Sequence, residues 1–133
     1  MRNLHRFRIM TTREYQDKVH TFAVYGDNQM YPLLGLEEEV GEVHGKVAKF
    51  IRKHNGRNPL TAKDAICDVM DDWASDNAKL HSELKFELGD VMWMVAEICN
   101  TYGFDLGKIM ELNIAKLEDR RNRGVIVGEG DHR

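Results

Sequence analysis

From about Pro32 to His54, apolar residues recur at the spacing of a single helix face. Proline interrupts helices, and the whole chain contains only Pro32 and Pro59, so long helices meet little interruption. The loop signal Asn55–Pro59 then ends this segment. The sequence therefore predicts a long amphipathic helix whose apolar set is Leu33, Leu36, Val40, Val43, Val47 and Phe50.

The same periodicity, with capping signals, predicts four further helices. Thr11 and Glu14 form a capping box at the start of the first helix, and Asp105 caps the last. The helix that ends at Tyr102 is the most apolar, so we expect it to be buried, partly by another subunit. The expected ranges are about Thr11–Tyr25, Ala62–Ala78 with a break near Ser75–Asn77, Leu84–Tyr102 and Asp105–Arg121.

Alternating strand patterns are almost missing from the sequence, and Val125–Val127 is the one short candidate. The fold class is therefore all-α, a bundle of four to five helices. At 133 residues the chain has the length of one domain, with a core from about residue 11 to 121 and a glycine-rich tail from 122 to 133. The large apolar helix faces predict a homodimer or a homotetramer.

Charge and composition argue against nucleic-acid and membrane partners. The formal net charge is −3, which gives no electrostatic case for a nucleic-acid partner. No apolar run is long enough for a signal peptide or a membrane span. Cys67 and Cys99 lie in helical, apolar surroundings and indicate reduced thiols rather than a disulfide framework. We therefore expect a soluble, cytoplasmic protein with no membrane partner.

Two pairs of carboxylates have matching spacing on two predicted helices. Glu39 and Glu42 are three residues apart, as are Glu87 and Asp90, so each pair lies on one helix face. If the two helices pack face to face, the four side chains converge, and their mutual repulsion requires a bound cation. Oxygen-only ligands favour Mg²⁺, or alternatively Mn²⁺, over Zn²⁺, and Mg²⁺ in turn suits phosphate substrates.

A glycine precedes the second acid of each pair, at Gly41 and Gly89. Glycine inside a helix costs about 1 kcal/mol relative to alanine, so two matched glycines call for an explanation. We expect them to permit a close approach between the two helices. A single glutamate on a helix is usually a solvated surface charge, and Glu37, which points away from this face, is interpreted in that way.

The motif Glu38-Glu39-Val40-Gly41-Glu42, followed by Glu87-Leu88-Gly89-Asp90, resembles the signature of MazG-like nucleotide pyrophosphohydrolases of the all-α NTP pyrophosphohydrolase superfamily. The C-terminal pattern from Asn113 to Arg133 is similar to that of small stand-alone members, including ones carried by phages. The resemblance covers about Glu14 to Arg133. The chain departs from it in the polar stretch Thr61–His81, a region whose length varies in the family.

The resemblance implies an enzyme that cleaves a nucleoside triphosphate between its α- and β-phosphates, giving a monophosphate and pyrophosphate. It implies that Glu39, Glu42, Glu87 and Asp90 bind Mg²⁺. Glu38, beside these ligands but offset, is then the candidate for orienting or deprotonating the attacking water. A basic strip on the last helix is the candidate phosphate-binding set, consisting of Asn113, Lys116, Arg120 and Arg123. Lys46, Lys49 and Lys53, which follow the acidic segment, are interpreted as surface residues, with help in phosphate binding as the alternative.

Two other classes of protein are alternatives to the enzyme. A di-iron carboxylate bundle needs a Glu-x-x-His motif on each of two helices, and here Asp17-x-x-His20 is the nearest match. The alternative that stays open is a non-enzymatic helical interaction or regulatory module whose carboxylates are surface charges. The sequence does not fix which base or sugar an enzyme would prefer.

Overall fold

A computed structural model describes residues 8–60 and 72–127. These residues form four α-helices, α1 (Thr12–His20), α2 (Tyr31–Lys53), α3 (Asp72–Tyr102) and α4 (Leu106–Asn122). No strand occurs among the described residues, and Val125–Val127 is not one. The expected all-α class is therefore confirmed. No helix in the described part of the chain is long and apolar enough to cross a bilayer.

Local signals place most helix ends where the sequence predicts them. The Thr11 hydroxyl accepts a hydrogen bond from the Glu14 backbone N–H, and the Glu14 carboxylate accepts one from the Thr11 backbone, so the capping box is formed. Asp105 caps α4 by accepting from the Lys108 backbone N–H at 3.0 Å. Gly103, with φ of +72°, follows the end of α3.

Two details differ from the predictions. The first helix ends at His20 rather than near Tyr25, because Thr21 turns the chain and its hydroxyl donates to the Lys18 carbonyl. The expected break near Ser75–Asn77 does not occur, and the described part of the predicted helix Ala62–Ala78 is continuous with the predicted helix Leu84–Tyr102, since α3 runs without interruption from Asp72 to Tyr102. The start of the predicted helix at Ala62, like Cys67, lies outside the described residues.

The chain divides into two compact units, one drawn from Met1–Val24 with Ala96–Arg133 and the other from Tyr25–Val95. In the first unit, α1 contacts α4, and a polar network ties α1 to the end of α3. The Gln16 side chain donates to Asn100 Oδ1 and to the Phe104 carbonyl, and it accepts from the Leu106 backbone N–H. Asn100 in turn donates to Glu97, which is fully buried.

In the second unit, α2 and α3 are antiparallel, as contacts from Lys46 to Glu87 and from Lys53 to Asp76 show. Their close approach occurs at Gly35, where an added Cβ would lie 2.6 Å from Met94 Sδ. The expectation that Gly41 and Gly89 permit this approach is wrong, because a Cβ at either position meets no described atom within 4 Å.

The burial of the apolar helix faces is less complete than the sequence indicates. On α3, Met94 and Cys99 are buried, but Leu88 and Met92 are exposed. On α4, Leu106 is buried, whereas the other predicted apolar residues are exposed, namely Ile109, Leu112, Ile114 and Leu117. The expectation of a buried, almost wholly apolar helix is therefore met only toward the C-terminal half of α3.

Candidate metal centre

Three of the four predicted metal ligands come together in the second unit. Glu39 on α2 and Glu87 and Asp90 on α3 each offer one carboxylate oxygen, and these oxygens lie within 4.8 Å of one another. We call these three residues the carboxylate cluster. All three side chains are half-buried, so water screens their mutual repulsion only in part.

The three close carboxylates disfavour the ionised form of Glu39. Burial, followed by the negative charges of Asp90, Glu38, Glu42 and Glu87, raises the pKa of the Glu39 carboxyl above its ordinary value. A group in this position is stabilised either by a proton or by a cation. The donor set consists only of carboxylate oxygens, which is the chemistry that hard divalent cations prefer. The residues present therefore fit a divalent metal.

Glu42 and Glu38 are both exposed on α2, and neither is part of the carboxylate cluster. Their charges nevertheless act on Glu39, because both raise the pKa of its carboxyl. Their proposed roles, ligand for Glu42 and water-handling group for Glu38, stay predictions.

Lys46, which is interpreted from the sequence as a surface residue, lies beside this cluster. Its Nζ lies 3.3 Å from Glu87 Oε1 and 3.6 Å from Glu83 Oε2. The hydrogen bond with Glu87 is the main reason why the pKa of Lys46 is raised, so the group stays a cation. The signal was present in the sequence, because Lys46 follows Glu39 and Glu42 at the next helical repeat on one face of α2.

The predicted phosphate-binding residues lie on α4 or at its end, in the first unit. Asn113 and Lys116 are exposed, as a substrate-binding role requires. Arg120 is only 5% exposed, which leaves little of its surface for a ligand. Arg123 forms an ion pair with Asp119 through Nε and Nη2, each at 2.8 Å from Oδ2. Their binding of phosphate stays a prediction.

Residues 31–125 match the family described as the MazG nucleotide pyrophosphohydrolase domain. That range covers most of the chain and includes the whole carboxylate cluster. The chain belongs to the MazG nucleotide pyrophosphohydrolase family. A relative from Mycobacterium phage L5, the Gene 37 protein, is 35% identical over 103 residues, which span 77% of this chain and 75% of the relative. No solved structure matches the chain significantly.

Membership of the MazG family makes the chain a nucleotide pyrophosphohydrolase by class, a hydrolase that acts on acid anhydrides. Dependence on a divalent metal is general in the family, and the carboxylate cluster is the candidate site for that metal. The resemblance seen in the sequence is thereby confirmed at the level of the family.

Proposed function

We propose that the protein hydrolyses a nucleoside or deoxynucleoside triphosphate between the α- and β-phosphates, with Mg²⁺ as its cofactor and Mn²⁺ as a substitute. The observation that carries this proposal is the convergence of Glu39, Glu87 and Asp90 from two helices in a chain of the MazG family. Glu42, one helical turn from Glu39, would complete the ligand set. When bound, the divalent ion would neutralise charge on the phosphate oxygens and acidify a water molecule.

In the proposed reaction, the oxygen of water bonds to the α-phosphorus, and the bond from that phosphorus to the oxygen bridging to the β-phosphate breaks. The products are a nucleoside monophosphate and pyrophosphate, with the water proton released. Glu38 is exposed and lies beside Glu39 in sequence, so its carboxylate can accept the proton or orient the water.

The basic set on α4 is proposed to bind phosphate. The exposure of Asn113 and Lys116 supports the proposal for these two residues most directly. Arg123 would have to exchange its carboxylate partner Asp119 for a phosphate, and Arg120 would act from a buried position. We also propose a homodimer or homotetramer, because Leu112 and Ile114 on α4 are exposed. We also propose a cytoplasmic location, where nucleoside triphosphates are available.

The test is a panel of nucleoside and deoxynucleoside triphosphates with Mg²⁺ in water enriched in ¹⁸O, with products identified by phosphorus NMR and mass spectrometry. We expect pyrophosphate and a monophosphate that carries the heavy oxygen. Orthophosphate with a diphosphate would show a different cleavage position. If no nucleotide is cleaved, and Glu39→Gln leaves metal binding unchanged, the protein is a non-enzymatic helical module.

A further inference from the structure

A groove beside the carboxylate cluster has four lysines among its eight described lining residues. It lies wholly in the second unit, has a volume of about 290 Å³, and is bordered by α2 and α3. We call it the lysine groove, and its described lining residues are Lys46, Lys49, Phe50, Lys53, Asp76, Lys79, Leu80 and Glu83. Phe50 and Leu80 are buried, so they form an apolar floor beneath the charged rim.

The charge of the lysine groove is opposite to that of the whole chain. Four lysines face two carboxylates, which leaves a net charge of +2 in a protein whose formal net charge is −3. Lys53 contacts Asp76 at 2.6 Å, and Lys79 lies 3.8 Å from Glu83. Each ammonium has three donors, so a lysine paired with one carboxylate can still donate to an anion. Lys49 has no ion-pair partner among the described residues.

The lysine groove and the carboxylate cluster are continuous. Lys46 lines the groove and also contacts Glu87, a member of the cluster. Along α2 the positions 39, 42, 46, 49 and 53 follow one another at intervals of three and four residues, so they share one helix face. That face changes from carboxylates to lysines toward the C-terminal end of the helix. A ligand could therefore contact a cation in the cluster and the lysines beyond it at the same time.

We propose that the lysine groove is a subsite for the pyrophosphate end of the substrate, the β- and γ-phosphates of a triphosphate and afterwards the released pyrophosphate. This inference rests on the proposed function, because it assigns the α-phosphate to the carboxylate cluster. Lys46 stands at the junction, and Lys49, Lys53 and Lys79 lie beyond it. The ammonium groups bind the phosphate oxygens through charge-assisted hydrogen bonds.

The chemistry of the lysine groove favours a polyphosphate over other anions. A monophosphate group would reach one or two of the lysines, whereas two linked phosphates present oxygens to several of them. Lysine acts as a point charge with rotatable donors, so the groove needs no rigid match to its ligand. The nucleoside, which carries the aromatic base, is then expected on the opposite side of the carboxylate cluster.

The experiment measures binding of inorganic pyrophosphate to the full-length protein by calorimetry, with EDTA present so that no divalent ion contributes. The variant is Lys49→Gln with Lys79→Gln, two exposed positions that leave Lys46 and its contact with Glu87 intact. The control is Lys18→Gln with Lys85→Gln, which removes the same charge from exposed positions outside the groove. We expect pyrophosphate to bind about tenfold more weakly to the groove variant and less than about twofold more weakly to the control.

A second readout uses Mg²⁺ and steady-state kinetics. The groove variant is expected to show a higher KM for the triphosphate, with inhibition by the monophosphate product unchanged, because that product lacks the β- and γ-phosphates. Pyrophosphate binding that is absent in the wild type, is equal in both double variants, or is lost only in Lys116→Gln would overturn the subsite. If no triphosphate is cleaved but pyrophosphate binding still requires Lys49 and Lys79, the subsite stands and the proposed reaction fails.

Discussion

Lys46 Nζ lies 3.3 Å from Glu87 Oε1, so an ammonium group and the carboxylate cluster share one carboxylate. Glu87 therefore faces two kinds of cation, the fixed charge of Lys46 and any metal held with Glu39 and Asp90. The two compete for negative charge on the same group. This relationship connects the candidate metal centre to the lysine groove. We therefore expect the metal affinity of the cluster to depend on Lys46, which is not itself a proposed ligand.

Replacing Lys46 tests this competition directly. Lys46→Gln removes a positive charge beside Glu87, so we expect Mg²⁺ to bind roughly threefold more tightly than in the wild type. The measurement is calorimetric titration with Mg²⁺ in the absence of nucleotide. Lys85→Gln, on an exposed position of α3, controls for the change in net charge. Weaker Mg²⁺ binding in Lys46→Gln would show that the lysine supports the cluster's geometry rather than competing with the metal.

We expect Glu39 to link the stability of the protein to metal binding. Its carboxyl has a raised pKa because burial and neighbouring carboxylates oppose its charge, so the ionised group destabilises the metal-free protein at neutral pH. We expect Glu39→Gln to keep or raise the melting temperature without metal and to lose the increase that Mg²⁺ gives the wild type. Differential scanning calorimetry with and without Mg²⁺ measures both effects.

The matched control is Glu37→Gln on the same helix. Glu37 is exposed and is not part of the carboxylate cluster. This variant should retain the full stabilisation by Mg²⁺. If Glu37→Gln loses as much of it as Glu39→Gln does, the cation is attracted by the overall charge of the acidic segment and not by the cluster.

The helices and caps could be predicted from the sequence because their determinants are local. The Thr11–Glu14 capping box and the Asp105 cap each involve residues three positions apart. The continuity of α3 could not be predicted in this way. Asp76 contacts Lys53 and His54, and Asn77 accepts a hydrogen bond from the Leu60 backbone. These distant partners offset the weak helix propensity of the polar segment.

The candidate site, like the fold, could be predicted only in part from the sequence. The acid pairs were visible because both members of each pair lie on one helix turn. The contact of Lys46 with Glu87 was not predicted, because lysines are usually exposed, although the register of Lys46 with Glu39 and Glu42 is visible in the sequence. The helix contact was assigned to Gly41 and Gly89, but it occurs at Gly35. The sequence shows which positions of a helix are glycine. Only the residue that packs across the contact, here Met94, shows which of these glycines the close helix approach needs.

Two glycines of α2 should respond to alanine in opposite ways. An added Cβ at Gly35 lies 2.6 Å from Met94 Sδ, whose side chain is buried, whereas one at Gly41 meets no described atom within 4 Å. Both variants gain the same helix propensity, about 1 kcal/mol. We expect Gly41→Ala to have a higher free energy of unfolding than the wild type. Gly35→Ala should have a free energy of unfolding about 1–3 kcal/mol lower than that of Gly41→Ala, which is the cost of overpacking.

Urea denaturation of the metal-free protein measures both free energies of unfolding. The control is Met94→Ala, which shortens the side chain that faces Gly35. The double variant with Gly35→Ala should lose less stability than the sum of the losses in the two single variants. Equal stability of Gly35→Ala and Gly41→Ala would contradict a close helix contact at Gly35.

The contacts of Asp76 predict how the stability of the protein depends on pH. Its carboxylate lies 2.6 Å from Lys53 Nζ and 2.9 Å from His54 Nε2, and the Lys53 contact is the main reason why the pKa of Asp76 falls below its ordinary value of 3.8. A depressed carboxyl pKa contributes stability above the unfolded-state value, and this contribution disappears as pH falls through the folded-state value. The same contact raises the pKa of Lys53 above its ordinary value of 10.5. The contribution of Lys53 to stability is therefore present below that value and disappears as pH rises through the folded-state pKa.

Asp76→Asn should therefore have a lower melting temperature than the wild type, by an amount that is constant from roughly pH 5 to pH 9. The difference should shrink at both extremes, because the ion pair loses its charge on the carboxylate in acid and on the ammonium in alkali. Melting curves that extend below the ordinary carboxyl pKa of 3.8 and above the ordinary ammonium pKa of 10.5 measure this decrease. Asp27→Asn is the control for losing one exposed carboxylate. A difference that does not change with pH would mean that Asp76 acts through the hydrogen bonds that an amide can also make, and not through its charge.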